Sequence, residues 1–248
     1  MRRRALGAAA AVALALAAAG AYAATRSSST TPRLTVFAAA SLTDVLPRID
    51  ATARYSFGGS NALAAQIRQG LPADVFASAN TALPERLFRE GRVERPVVFT
   101  ANALVLIARK GNPERLHGVR DLRRPGLRLA VGAAGVPVGD YTRTVLGRLG
   151  LARLVAGASQ ETDVREVLAK VALGELDAGF VYATDAKSVQ GKVAVLALPR
   201  SSQPTVRYAA AVVKASGNRA AAERWVARLR GARAQRQLRA AGFLPSGR

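Results

Sequence analysis

The sequence predicts an α/β protein with mixed, mostly parallel sheets. From Leu34 onward, short apolar runs alternate with amphipathic segments, the pattern of βαβ units. The apolar runs tend to end in turns of small or hydroxyl residues, where a strand gives way to a helix. A hydrophobic content of 50% with 22 Gly and 11 Pro in 248 residues is that of a globular chain, which excludes disorder as the main state.

The first segment stands outside this pattern. Arg2, Arg3 and Arg4 precede an Ala/Leu/Val run from Ala5 to Ala19 and the small-residue site Ala21-Tyr22-Ala23. A basic start, an apolar middle and an A-x-A site predict a secretory signal peptide over 1–24, cut after Ala23. An uncut N-terminal anchor is the rival reading, since the run to Ala24 just spans a bilayer. The Ser/Thr-rich stretch 25–33 reads as a flexible tether.

Leu34 to Ala38 reads as a buried strand, and Ser41 as the N-cap of a helix with Asp44 in its first turn and Pro47 keeping it short. Ala53 to Phe57 is the next strand. Ser60-Asn61 caps a helix that places Leu63 and Ile67 on one face and stops at Gly70. Asp74 to Ala77 is a third strand, and Asn80 to Glu90 a helix ended by Gly91. Leu104 to Ala108 and Leu127 to Val131 are strands, the second followed by a Gly-rich turn and a helix carrying Tyr141, Val145 and Leu149. Thr162-Asp163 caps a helix with Val164, Val167, Leu168 and Val171 apolar. Strands at Ala178 to Tyr182, Val193 to Leu198 and Arg207 to Val213 precede C-terminal helices, with Trp225 in the core.

Lys plus Arg number 37 against 16 Asp plus Glu, a formal charge of +21. Removing the three leading arginines lowers it to +18, so the excess belongs to the body of the chain. The arginines are dispersed, aromatics are only 5%, and no basic stretch interleaves with aromatics as base stacking requires. Nucleic-acid binding is therefore not expected. The absence of Cys excludes disulfides, thiolate metal sites, a Cys nucleophile and a lipidated Cys.

Ser41, Ser60-Asn61, Pro137-Val138-Gly139 and Thr162-Asp163-Val164 all stand at predicted helix starts. Unpaired N–H groups and the positive end of the helix dipole make each a possible anion seat, and a hydroxyl adds a donor. One such turn alone is ordinary capping. Several become a site only if they converge, as the carboxyl ends of strands do in open α/β sheets.

Seven blocks carry a resemblance. They are Val36 to Asp44, Tyr55 to Asn61 with Leu63 to Ile67, Pro72 to Phe76, Asn102 to Ala108, Val136 to Tyr141, Asp163-Val164-Arg165 and Gly179 to Ala186. In this order they resemble the periplasmic molybdate-binding proteins of ABC transporters, within the bacterial extracellular solute-binding protein family. The resemblance runs from Leu34 to about Pro245. It implies a two-lobed periplasmic-binding-protein fold of type II with a ligand cleft between lobes, lobe 1 being 34–100 and 207–248 and lobe 2 being 101–206. It also implies a monomeric, extracytoplasmic protein without cofactor or enzymatic activity that binds molybdate, and tungstate comparably, for an ABC membrane permease. By the same resemblance Ser41 and Ser60 give hydroxyl and N–H donors, Val138 and Val164 give backbone N–H groups, and Tyr182 gives its hydroxyl. Molybdenum enters only as the oxyanion. The stretch from Ser41 to Phe57 is shorter than the family pattern by roughly two helical turns of 3.6 residues.

Other candidates are weaker. His117, the only histidine, lies in a polar loop, and no G-x-S-x-G elbow supports an exported α/β hydrolase. Asp74, Asp140, Asp163 and Asp185 read as caps or hinge partners, lacking metal-loop spacing. Neither G-x-G-x-x-G nor a P-loop is present. A binding protein for another oxyanion or small anion is the alternative function.

Overall fold

The structure is a computed structural model that describes residues 33–247. The predicted signal peptide and nearly all of the tether lie outside the described residues. Among the described residues, no helix is long and apolar enough to cross a membrane.

The described strands are β1 (Thr35–Ala39), β2 (Arg54–Gly58), β3 (Val75–Ser78), β4 (Val97–Asn102), β5 (Leu104–Arg109), β6 (Leu129–Gly132), β7 (Ser159–Glu161), β8 (Ala178–Tyr182), β9 (Val193–Leu196) and β10 (Val206–Val212). They form two five-stranded sheets, ordered β2-β1-β3-β10-β4 and β7-β6-β8-β5-β9. β1 pairs parallel with β2 and β3, and β6 pairs parallel with β7 and β8. β10 runs antiparallel to β3 and β4, as β5 does to β8 and β9. Each sheet thus has one reversed strand among otherwise parallel ones. The reversed strands are those by which the chain enters a sheet after crossing from the other, without the helical crossover that keeps neighbours parallel.

The crossing is short in one direction. β4 ends at Asn102 and β5 begins at Leu104, so only Ala103 separates the sheets; the return runs through residues 197–205. The sequence reading began this region at Leu104 and missed β4, whose apolar start gives way to Thr100 and Asn102. β7 was hidden for another reason: its three residues, Ser159, Gln160 and Glu161, carry no apolar signal.

The helices are α1 (Leu46–Ile49), α2 (Ser60–Arg68), α3 (Ala82–Arg89), α4 (Pro137–Arg148), α5 (Val164–Ala172), α6 (Ala183–Ser188), α7 (Arg219–Leu229) and α8 (Ala232–Ala241). Two caps differ from expectation. Ser41 caps no helix but sits in the middle of a 3₁₀ turn over Ala40–Leu42, because its hydroxyl bonds to Tyr208 instead of to the local backbone. Ser60 is the first residue of α2, with Gly59 at the cap position, and its oxygen is taken by the N–H of Ala79. Asp163 is a true N-cap: its carboxylate accepts from the N–H groups of Arg165 and Glu166. Pro137 opens α4, where its missing N–H costs nothing. Gly242, at φ 99°, ends α8 in the left-handed conformation.

The two-residue period of the strands sorts the first sheet's side chains. Phe37, Phe76 and Ala211 face one way and pack with Leu63, Ile67, Leu83 and Leu87 from α2 and α3. Val36, Ala38, Val75, Ala77, Ala210 and Val212 belong to the other core, which includes Trp225 and Leu229 of α7 and continues into the second sheet. Truncating a fully buried ring such as Phe76 to Ala would cost about 3–5 kcal/mol.

Candidate functional site

All five residues singled out in the sequence line one small cavity between the sheets: Ser41, Ser60, Val138, Val164 and Tyr182. The topology explains the convergence. The carboxyl ends of β1, β2 and β3 deliver Ala40-Ser41, Gly59-Ser60 and Ala79 from the first sheet. On the second, β6 and β7 are followed by Val136-Pro137-Val138 and Asp163-Val164, and β8 ends at Tyr182.

Both predicted serines are held by protein partners, and the two predicted N–H groups stand at helix starts. The Ser60 oxygen accepts from Ala79 N–H at 3.1 Å, so its own hydrogen is free. Ser41 lies 2.8 Å from the Tyr208 hydroxyl. Asp163 takes the second and third N–H groups of α5 but not the first, that of Val164. At the start of α4 the first N–H is missing in Pro137, so Val138 presents the leading one. Tyr182 is the exception, with a buried hydroxyl that has no hydrogen-bond partner. A buried, unpaired hydroxyl costs about 1–3 kcal/mol, which a fold optimised for stability alone would not keep.

Tyr182 is nonetheless rigidly held. Tyr141 and Tyr208 meet its ring edge-on, with centroids 6.4 and 5.8 Å away. Burial pushes its hydroxyl pKa well above the usual tyrosine value, so it remains a donor in ordinary buffers.

Among the described residues, no Lys or Arg lines the cavity, and the one charged residue there is Asp163. The nearest motif cation, Arg165, is committed elsewhere: it reaches Asp44 across the sheets at 2.5 Å and lies 3.0 Å from Asp185. A second contact between the sheets runs from the Tyr141 hydroxyl to the Ala79 carbonyl, 3.5 Å. Gly59 provides the tightest one, since a Cβ there would collide with the Thr162 carbonyl.

The aspartates have structural roles. Asp74 ties Thr35 N–H at 2.7 Å to the Ser216 hydroxyl at 2.6 Å. Asp140 accepts from Gly135 N–H. Asp185, fully buried behind Tyr182, accepts from the Tyr182 N–H at 3.3 Å. Burial raises its pKa to about 7, although Arg165 opposes this. Their contact is close but misaligned for a hydrogen bond, so burial prevails. Against an unfolded value of about 3.9, the folded state holds this proton more tightly, so the group's contribution to stability falls as pH rises from about 4 to about 7. Asp185→Asn should flatten that decline relative to wild type in thermal unfolding across that range. An unchanged slope would place the titration elsewhere.

His117 lies away from the cavity, its side chain 86% exposed and 3.6 Å from Asp121. Sequence reading missed Gly59, Asn102 and Tyr208 as parts of this arrangement. Gly59 and Asn102 stood inside the blocks quoted above; Tyr208, in an Ala-rich strand, gave no signal.

Comparison with known proteins gives this geometry its context. The pattern of the bacterial extracellular solute-binding protein family matches residues 34–244. The chain belongs to that family. This solute-binding protein is 34% identical over 220 residues to the molybdate-binding protein ModA of Mycobacterium tuberculosis, covering 85% of this chain and 84% of the relative. The solved periplasmic molybdate-binding protein of Azotobacter vinelandii superposes with a TM-score of 0.76 at 25% identity, over 86% of this chain and 99% of that one. The sulfate-binding protein SubI of Mycobacterium tuberculosis shares the fold, with a TM-score of 0.74 at 19% identity over 86% of each chain. Solute-binding proteins of this kind are not enzymes, and the hydrolase alternative is set aside.

Proposed function

We propose that this solute-binding protein captures molybdate, and tungstate comparably, in the cavity between its sheets and delivers it outside the cytoplasm to an ABC permease. The donors are the hydroxyls and N–H groups of Ser41 and Ser60, the N–H groups of Val138 and Val164, and the Tyr182 hydroxyl. The lobes are 34–102 with 206–248, and 103–205, a shift from the expected bounds of 100 and 207 because β4 runs to Asn102 and β10 begins at Val206 in the first sheet, and the protein acts as a monomer. The observation that carries this is the unpartnered Tyr182 hydroxyl at a cavity lined by helix starts and free of cations.

The physical logic favours a small oxyanion. A dianion leaving water must regain its hydration from fixed dipoles, and preorganised N–H and O–H donors supply them without reorganisation. A small cavity walled by Ala, Gly, Ser and Val at backbone turns suits oxygens clustered on one central atom better than a sugar, amino acid or peptide. Net cationic attraction would admit any anion, whereas neutral donors at fixed positions select by size and shape.

Thermal shift and calorimetry with molybdate, tungstate, sulfate and phosphate test the proposal. A ligand at a thousand times its Kd stabilises the folded state by about 4 kcal/mol, a shift of several degrees. Molybdate and tungstate should give it at millimolar concentration; no stabilisation by either overturns the proposal.

A further inference from the structure

Asn102 and Tyr208 lie outside the cavity lining, yet both connect to Ser41. The Asn102 amide has a determined orientation, because its Oδ1 accepts from the Ala103 N–H at 2.9 Å. Its Nδ2 therefore faces the other way, donating to the Thr184 hydroxyl at 2.9 Å and, at the long limit of a hydrogen bond, to the Tyr208 hydroxyl at 3.5 Å. An amide nitrogen only donates, so Tyr208 receives from Asn102 and has its own proton still to place.

Distance alone leaves the direction of the 2.8 Å contact between Tyr208 and Ser41 open. Burial decides it. Tyr208 is fully buried, and its ring is met edge-on by Phe99, Tyr182 and Phe243. If Ser41 donated to Tyr208, the tyrosine proton would be stranded among those rings, and Ser41 would turn a lone pair toward the cavity. In the opposite direction the Tyr208 proton has Ser41 as its acceptor, and the Ser41 hydrogen is left for the cavity.

We infer that Asn102 and Tyr208 form a directed hydrogen-bond relay that fixes Ser41 as a donor to the bound oxyanion, making Tyr208 a positioning residue for binding. The inference rests on the oxyanion-binding function proposed above. The relay starts at the Ala103 crossing and ends at the cavity, so a lone-pair mismatch with an anion is excluded before the ligand arrives. Each bond in the chain also polarises the next, which strengthens the terminal donor.

A double-mutant cycle read by molybdate calorimetry tests it, using wild type, Tyr208→Phe, Ser41→Ala and the double variant. Tyr208→Phe should weaken molybdate about tenfold, because Ser41 released from the relay no longer has its hydrogen held toward the anion. Ser41→Ala should weaken it at least as much, and the double variant no further than Ser41→Ala alone. A merely structural tyrosine would lower the apo melting temperature with Kd unchanged, or give losses that add; either result overturns the relay. If Tyr208→Phe does not fold, Asn102→Leu replaces it in the same cycle and must likewise lose its effect on the Ser41→Ala background. Wild-type protein that ignores molybdate overturns the proposed function, and the relay with it. Wild-type binding with additive losses overturns the relay alone.

Discussion

Replacing Tyr182 by Phe should weaken oxyanion binding by about 10- to 100-fold while leaving the ligand-free protein as stable as wild type, or more so. The two effects have opposite signs for one reason. In this fold the hydroxyl is buried without a protein partner, so removing it relieves an unmet desolvation cost whenever no ligand is bound. In the complex the same hydroxyl donates to a charged acceptor, a bond worth about 1.5–3 kcal/mol. The ring itself stays clamped between Tyr141 and Tyr208, so the variant keeps its packing. Paired calorimetry and apo unfolding check both halves. A loss of stability with unchanged affinity would make Tyr182 a structural residue and remove the central support for the proposed site.

Gly59→Ala should reduce affinity by a comparable factor without removing any donor. Gly59 has φ −60° and ψ 128°, a conformation Ala adopts freely, so its own sheet is undisturbed. The added methyl instead meets the Thr162 carbonyl of the second sheet and Asn61 Oδ1 at 2.8 Å. Backbone cannot swing aside as a side chain would. The turns must part, separating Ser60 from Val164 across the cavity. Overpacking of this kind costs about 1–3 kcal/mol, roughly a 5- to 150-fold loss. Small-angle scattering of the ligand-saturated variant should show a larger radius of gyration than wild type. Wild-type affinity would mean that the two turns need not touch for binding.

Much of this was legible in the residues, and the gaps have physical causes. The parallel strands β1, β3, β6 and β8 stood out because both faces are buried, giving continuous apolar runs. Asp163 was recognisable as a cap because its carboxylate serves its own helix. Ser41 and Ser60 were recognisable as candidate site residues but wrongly read as caps, since their hydroxyls bond to Tyr208 and Ala79, 167 and 19 residues away. Local pattern carries no trace of such long-range partners. Gly59 looked like any turn glycine; only the second sheet's approach gives it a reason. The formal charge of +21 gives no pointer to the cavity, which no Lys or Arg of the described residues lines.

The position of β10 has a kinetic consequence. It sits between β3 and β4, although it is made after every other strand. Until residues 206–212 arrive, β3 and β4 each keep an open edge and the first sheet cannot close. The second sheet draws on one uninterrupted stretch, 104–196, and needs nothing later. Completion of the molecule therefore waits on a pairing between segments more than a hundred residues apart, a slow step by loop-closure entropy. An emerging chain of this design stays incomplete until its end is available, a state compatible with passage through a membrane before folding.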